Sequence, residues 1–485
     1  MRSKRHIRLL VIITVGWLVW AGWIFLAGSD EYVVRVLDDQ GVPVVDAEVA
    51  VNSDPQGVSD EEGLVSLGWS GETQTLAVSA AGHSSTNIMV PDYPQEPVDV
   101  VIRAKLLRGR VTTPDKVPVE GAYVRSGRAV GISDADGRFV VRGASPGTIN
   151  VTRPAWHGNT FEWAGGPGEE VVTIEPRVLK AVHVGGEAAA NNFDRYISMA
   201  KGTELNAIML DLKDESGYIW YESEVEMARS AGAVNPLYDL ESLVEKADAA
   251  DLYLIGRITT FQDPVAAQAI PDMAAWDTAT DQPHESGGQY FLDPSNEAAR
   301  QYGLDLADEA CAAGVDEIQF DYLRYPDDRP ESVEFEGGVT GEARVSAIRS
   351  FLTEATSRLH PQGCAVAADI FGFITRATDD GGIGQNWEQM LDVVDVASPM
   401  VYPSHYGSGW YNLDNPNDHP ATLVEEALAD GMERLPRAVV VRPWLQDFGY
   451  TASQVRSQIE EVEKHGLGWM LWNALSEVST GALTP

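Results

Sequence analysis

A series of short stretches in the C-terminal part of the chain ends in groups that can bind and cut a polyhydroxylated molecule. They read Leu210-Asp211-Leu212-Lys213-Asp214, Gly256-Arg257-Ile258, Gln319-Phe320-Asp321-Tyr322-Leu323-Arg324, Ala368-Asp369-Ile370, Val401-Tyr402-Pro403-Ser404-His405, Arg442-Pro443-Trp444-Leu445-Gln446 and Met470-Leu471-Trp472. Asp, Gln and Arg side chains hydrogen-bond hydroxyl groups, and aromatic faces stack on the C–H surfaces of sugars. Breaking a glycosidic bond needs two carboxyl groups flanking the anomeric carbon, one protonated and one ionised. Asp321 and Asp369 are the expected pair. Each closes an apolar run, and neighbouring strands lie ~4.8 Å apart, compatible with the ~5–5.5 Å carboxyl spacing of a retaining double displacement. Their mutual repulsion raises one pKa and keeps that group protonated. This reading makes Asp321 and Asp369 a nucleophile and acid/base pair, with Asp214 the runner-up acid. Asp211, Lys213 and Asp214 are candidates to hold substrate hydroxyls, or else form a salt-bridged network. Arg257 and Arg324 orient the carboxylates or make rim salt bridges. Tyr402 and His405 are expected to line a subsite. Trp444 and Trp472 serve as stacking platforms or as packing at the barrel top. Arg442 and Gln446 complete the substrate-binding set.

Other chemistries lack their residues. No H-x-H or H-x-x-H closes an apolar run, so no catalytic metal is expected. There is no G-x-S-x-G elbow, no P-loop and no dinucleotide fingerprint, so no cofactor is expected. Cys311 and Cys364 precede neighbouring runs rather than closing them, which argues against thiol catalysis; a disulfide between them and two buried thiols both remain open.

The elements that must position these groups recur regularly. Apolar, β-branched runs cover Leu179–Val184, Leu205–Leu210, Leu252–Ile258, Glu317–Phe320, Cys364–Ile370, Val393–Ala397, Ala438–Val441 and Gly468–Leu471. Helix-period segments lie between them, among them Asn191–Ala200, Leu237–Ala250, Asn296–Ala313, Val345–Leu359, Ala421–Met432 and Ser453–His465. Near-continuously apolar strands alternating with helices imply a parallel sheet buried on both faces, and eight such units imply a (β/α)8 TIM barrel over 179–485. Reactive groups in that fold stand at the C-terminal strand ends, where the polar residues above fall. The stretch Pro264–Tyr290, with Trp276, His284 and Glu285, reads as a long polar loop without a clear element.

The phrases "LNAIMLDLKDESGYIWY", "GVDEIQFDYLRYP", "VAADIFGF", "IGQNWEQMLDVVDVASPMVYPSHY" and "VRPWLQDF" resemble the glycoside hydrolase domain family of bacterial envelope proteins, a group distantly similar to α-amylase-type barrels. The resemblance runs from about 180 to 480. It implies a nucleophilic carboxylate after the fourth strand and an acid/base carboxylate after the fifth, the positions of Asp321 and Asp369.

Ahead of the barrel, 31–104 and 105–178 repeat one another at an offset of 74–75 positions. Gly57-Val58-Ser59-Asp60 and Gly63 match Gly131-Ile132-Ser133-Asp134 and Gly137. Alternating short runs and turn residues predict two antiparallel sandwiches. Their pattern resembles the carboxypeptidase regulatory-like domain, a transthyretin-type sandwich, which implies spacer or adhesion units. Asp134 and Asp136 read as a hydrogen-bonded turn rather than a calcium site.

Arg2, Lys4, Arg5 and Arg8 precede an uncharged run, Leu9–Gly28, and Asp30 and Glu31 follow it. Twenty helical residues span ~30 Å, a bilayer core. The charge order predicts a signal anchor within 1–30, with its N-terminus in the cytoplasm and the remaining chain extracytoplasmic; a cleaved signal peptide is the rival. With 73 Asp and Glu against 35 Lys and Arg, the net charge of -38 argues against nucleic acid as a ligand. The expectation is a membrane-anchored, extracytoplasmic enzyme acting on a polysaccharide. The alternative is a non-catalytic barrel that binds glycan or organises the cell envelope.

Overall fold

The computed structural model describes residues 31–166 and 168–485. The expected anchor, Leu9–Gly28, lies outside the described residues, and no helix among those described is long and apolar enough to cross a membrane. The chain divides into two compact units.

Among the described residues, the first unit comprises 31–112 with Glu120–Val151 and Asn159–Thr173. Its strands form two pairs of sheets. In the first pair, Glu31–Asp38 is flanked by Leu64–Gly68 and Val98–Ile102, while Glu48–Val51 and Gln74–Ser79 lie between Asp54–Val58 and Thr86–Val90. In the second, Leu106–Thr112 is flanked by Arg138–Arg142 and Glu169–Thr173, while Tyr123–Ser126 and Gly147–Thr152 lie between Ala129–Ile132 and Asn159–Trp163. Side chains alternate in and out along these strands. Val34 and Val36 of one sheet share a core with Val49, Leu76 and Val78 of the other. Matching turns recur. Gly63 donates its N–H to Asp60 at 3.0 Å and Gly137 to Asp134 at 2.7 Å, with φ of 75° and 73°, a conformation glycine adopts without strain. The Asp134 carboxylate accepts the N–H groups of Asp136 and Arg138 at 3.0 and 2.8 Å, as a hydrogen-bonded turn requires.

The second unit comprises Thr113–Val119, Thr152–Gly158 and Ile174–Pro485. Its core is an eight-position parallel barrel. Strands one to six are Lys180–Val184, Ala207–Lys213, Tyr253–Thr259, Glu317–Asp321, Ala365–Phe371 and Val396–Val401, and strand eight is Trp469–Trp472. Strand seven is in two pieces, Val440–Val441 and Trp444–Gln446, split where Pro443 lacks an N–H. Pairing of strands five and six closes the sheet. Outward residues such as Val182, Leu210, Phe320 and Ala368 pack under the surrounding helices, while Ala181, Met209, Ile255 and Met470 fill the interior. The stretch 264–290 is more ordered than its composition predicts. It holds the helix Pro264–Ala269, and Trp276–Asp277 pairs with both Gln282–Pro283 and the distant Val333–Glu334.

Candidate active site

The alternation of strand two sends Met209 and then Asp211 toward the barrel axis, level with Arg257 of strand three. Arg257 Nη1 donates to Asp211 Oδ1 at 2.8 Å. Its Nε donates to Asp321 Oδ2 at 2.9 Å, and its Nη2 reaches the same oxygen at 2.7 Å. The same Nη2 meets Glu215 Oε2 at 3.3 Å. One buried guanidinium thus gathers three carboxylates. His183 of strand one lies 2.8 Å from Asp211 Oδ2. Burial opposes ionisation of Asp211, yet His183 and Arg257 bring its pKa down to about 2.

Phe320 and Ala368 are register partners and both point outward, so the residues after them, Asp321 and Asp369, turn inward on adjacent strands. Their environments differ. Asp321 is held by Arg257 and by the N–H of Tyr322 at 2.6 Å; Tyr322 takes a φ of 49°, a strained value for a bulky residue. Asp369 Oδ1 accepts Trp444 Nε1–H at 2.7 Å and an amide N–H of Gln319, while its Oδ2 has no partner among the described residues. Burial, reinforced by the charge of Asp321, pushes the Asp369 carboxyl well above the usual range. With two donors already on Oδ1, Oδ2 is the oxygen free to carry a proton.

Above this pair opens a cavity of about 470 Å³. Asp321, Arg257, Arg324 and His405 supply its polar wall, and Tyr322, Phe371, Phe373, Tyr402, Tyr406, Trp410, Trp444 and Trp472 its aromatic one. Burial, above all, raises the Tyr402 phenol well above its ordinary value, leaving a neutral donor. Burial lowers the pKa of His405.

Residues 181–477 match the family described as "Putative glycosyl hydrolase domain". The chain belongs to this family. Its barrel is therefore glycoside hydrolase-like. No curated protein matches the chain. Among solved structures, a hypothetical protein from Ruminiclostridium thermocellum shares 30% identity over 39% of this chain and 96% of its own, with a TM-score of 0.36. The glycoside hydrolase domain of PgaB (BpsB) from Bordetella bronchiseptica shares 12% over 61% and 94%, with a TM-score of 0.45. The spore cortex-lytic enzyme SleL of Bacillus cereus shares 10% over 64% and 75%, with a TM-score of 0.39.

Within this glycosyl hydrolase-family barrel, the expected residues fall into four groups. Asp321, Arg257, Arg324, Tyr402, His405, Trp444 and Trp472 line the cavity. Asp369 and Asp211 lie behind its wall, 1% and 4% exposed. Asp214 is half-buried and capped by Ser216; burial raises its pKa. Lys213, Arg442 and Gln446 require correction as substrate contacts. A register shift between Asp211 and Lys213 turns Lys213 outward, where it is buried against Asp263 at 3.0 Å and donates to the Thr259 carbonyl. Arg442 is sealed in an ion pair with Glu317, at the N-terminal end of strand four. Gln446 is spent on the Ser404 N–H at 3.0 Å and the Phe448 carbonyl at 2.9 Å.

Sequence reading passed over Glu215, His183 and the Tyr322, Phe371, Phe373, Tyr406 and Trp410 side chains. Glu215 had a visible signal, since it directly follows Asp214 in the second polar rim. His183 was a single polar residue within an apolar run and offered none.

Proposed function

We propose that the barrel hydrolyses glycosidic bonds of a polysaccharide, with Asp321 as nucleophile and Asp369 as acid/base. The observation that carries this reading is the pairing of unlike carboxyls on adjacent strands. Asp321 is fixed beneath an aromatic cavity by Arg257, and burial and the charge of Asp321 hold the Asp369 carboxyl behind it well above the usual range. In the first step the Asp321 carboxylate bonds to the anomeric carbon as the bond to the leaving oxygen breaks, and that oxygen takes the acid's proton. In the second, water gives a proton back to the same residue and its hydroxyl displaces Asp321. A separation of ~6.5–9.5 Å between the working carboxyls corresponds to the inverting route instead.

A second assignment of the acid has a specific observation behind it. Asp369 is 1% exposed, whereas the Glu215 side chain is 45% exposed and shares Arg257 Nη2 with Asp321. The oxygens of Glu215 and Asp321 can be no further apart than their distances of 3.3 and 2.7 Å laid end to end. In that case Glu215 hands over the proton, and Asp369 is a neutral neighbour of the nucleophile.

The localisation follows from the N-terminal segment. Leu9–Gly28 anchors the chain, and the two β-modules, of carboxypeptidase regulatory-like type, are spacer or adhesion units. The deciding assay measures reducing ends released from envelope polysaccharides by the wild type and by Asp321→Asn. We expect a loss of at least about 10²–10⁴-fold in the variant. Equal activity in the two removes Asp321 from the nucleophile role, and glycan binding without turnover in the wild type favours the non-catalytic barrel.

A further inference from the structure

In a chain of net charge -38, one sheet face of the first unit is positive. On the sheet of Arg138–Arg142, Leu106–Thr112 and Glu169–Thr173, alternate residues point outward. Arg108, Arg110, Arg138, Val140 and Val171 are all exposed there. Arg110 stands directly opposite Arg138 on one side and Val171 on the other; Arg108 stands between Val140 and Glu169. Like charges facing one another across a ladder destabilise it. Among the described residues, neither Arg108 nor Arg110 makes an ion pair, and Arg138 pairs only with Asp136 in its own turn.

The preceding module supplies an internal control. Val36 donates its N–H to Gly63 O as Val111 donates to Gly137 O, both at 2.8 Å, so Arg35 occupies the position of Arg110 and Leu64 that of Arg138. Arg35 is neutralised by Asp99 on the neighbouring strand, through bonds of 2.8 and 2.9 Å. In the second module Val171 takes the place of Asp99, and Arg138 that of Leu64. On the same scaffold, one copy balances its arginine across the ladder, while the other sets Arg110 against Arg138, whose carboxylate partner is Asp136 of its own turn.

We propose that this face binds an acidic polysaccharide strand, with sugar carboxylates on Arg108, Arg110 and Arg138 and sugar C–H surfaces on Val140 and Val171. Outward side chains stand ~4.8 Å apart across the sheet and ~6.6 Å apart along a strand, on the scale of a monosaccharide. A narrow polymer can follow such a patch. A broad anionic bilayer would also meet the acidic surface around it, and at physiological salt attraction fades beyond ~8 Å. The choice of a glycan over other anions rests on the hydrolase reading of the barrel.

The test compares the full chain with its Arg108→Gln/Arg110→Gln/Arg138→Gln variant, using calorimetry and affinity electrophoresis with polygalacturonate and, as neutral control, dextran. The wild type is expected to bind polygalacturonate in a salt-sensitive way and dextran not at all. The variant should lose at least tenfold in affinity while its Tm stays equal or rises. Arg35→Gln, which removes a neutralised arginine, should leave binding unchanged. Wild-type affinity in the triple variant, equal weakening by Arg35→Gln, or no binding by the wild type overturns the proposal. So does arginine-dependent binding to phosphatidylglycerol vesicles, or self-association in sedimentation, in place of polygalacturonate binding. Reducing-end release is read separately: binding without release supports the face and counts against the hydrolase reading.

Discussion

On the proposed mechanism, leaving-group chemistry decides which carboxyl gives up the proton. An aryl glycoside with a good leaving group needs little protonation, so loss of the acid hurts natural substrates far more than nitrophenyl ones. If Asp369 is the acid, Asp369→Asn should cost about 10²–10⁴-fold on polysaccharide and much less on a nitrophenyl glycoside. Glu215→Gln should then lack that split. The opposite pattern assigns the proton to Glu215. Because Asp369 is raised well above the usual carboxylate range, its involvement places the alkaline fall of kcat/KM well above pH 4, and Asp369→Asn abolishes that limb. Asp211 works in the other direction. Its pKa is lowered from 3.8 to about 2, so the native state binds fewer protons than the unfolded one between those values. The resulting stabilisation, roughly 2 kcal/mol, is complete above the ordinary pKa and is lost as pH falls through about 2. Denaturant unfolding at pH 5 and pH 2.5 should reveal it in the wild type and a flatter response in Asp211→Asn. Asp321, Arg257 and Trp472 were legible beforehand because they close apolar runs. Lys213 misled because a local register shift, invisible to a count of alternating residues, reverses its direction.

At the level of elements, long buried strands were readable because both faces must be apolar, whatever the neighbours are. The stretch 264–290 was not, because its order comes from two-residue pairings with Val333–Glu334, far along the chain. Strand seven was foreseen as Ala438–Val441; the structure keeps Val440–Val441 and adds a second piece, Trp444–Gln446, beyond Pro443. The cysteine question resolves into a bond between Cys311 and Cys364, separated by 53 positions, joining the helix before strand four to the start of strand five. Closing a loop of that length stabilises by about 4 kcal/mol in the chain-entropy treatment. Cys311→Ala/Cys364→Ala should therefore unfold at distinctly lower urea, while kcat is unchanged because the bond lies at the pole away from the cavity.

At the scale of the whole molecule, the compact units do not follow the chain in simple order, since Thr152–Gly158 clusters with the barrel residues. Within that unit Arg153 Nη1 donates to the Ala438 carbonyl at 3.0 Å, and the guanidinium carbon lies 4.7 Å from the ring centre of buried Trp156, which pairs with Pro176. A repeat offset marks module lengths but cannot show such an exchange of loops. A fragment of 152–485 should accordingly melt several degrees above one of 179–485, reflecting roughly 2 kcal/mol of lost packing and hydrogen bonding; scanning calorimetry of both checks this. The clustering of Asp211, Asp321 and Glu215 on one guanidinium also bears on pharmacology. On the proposed mechanism, positive charge develops on the sugar ring beside this surplus of negative charge, so ring-nitrogen sugar mimics that carry a proton should inhibit reducing-end release at concentrations where their neutral lactam counterparts have no effect.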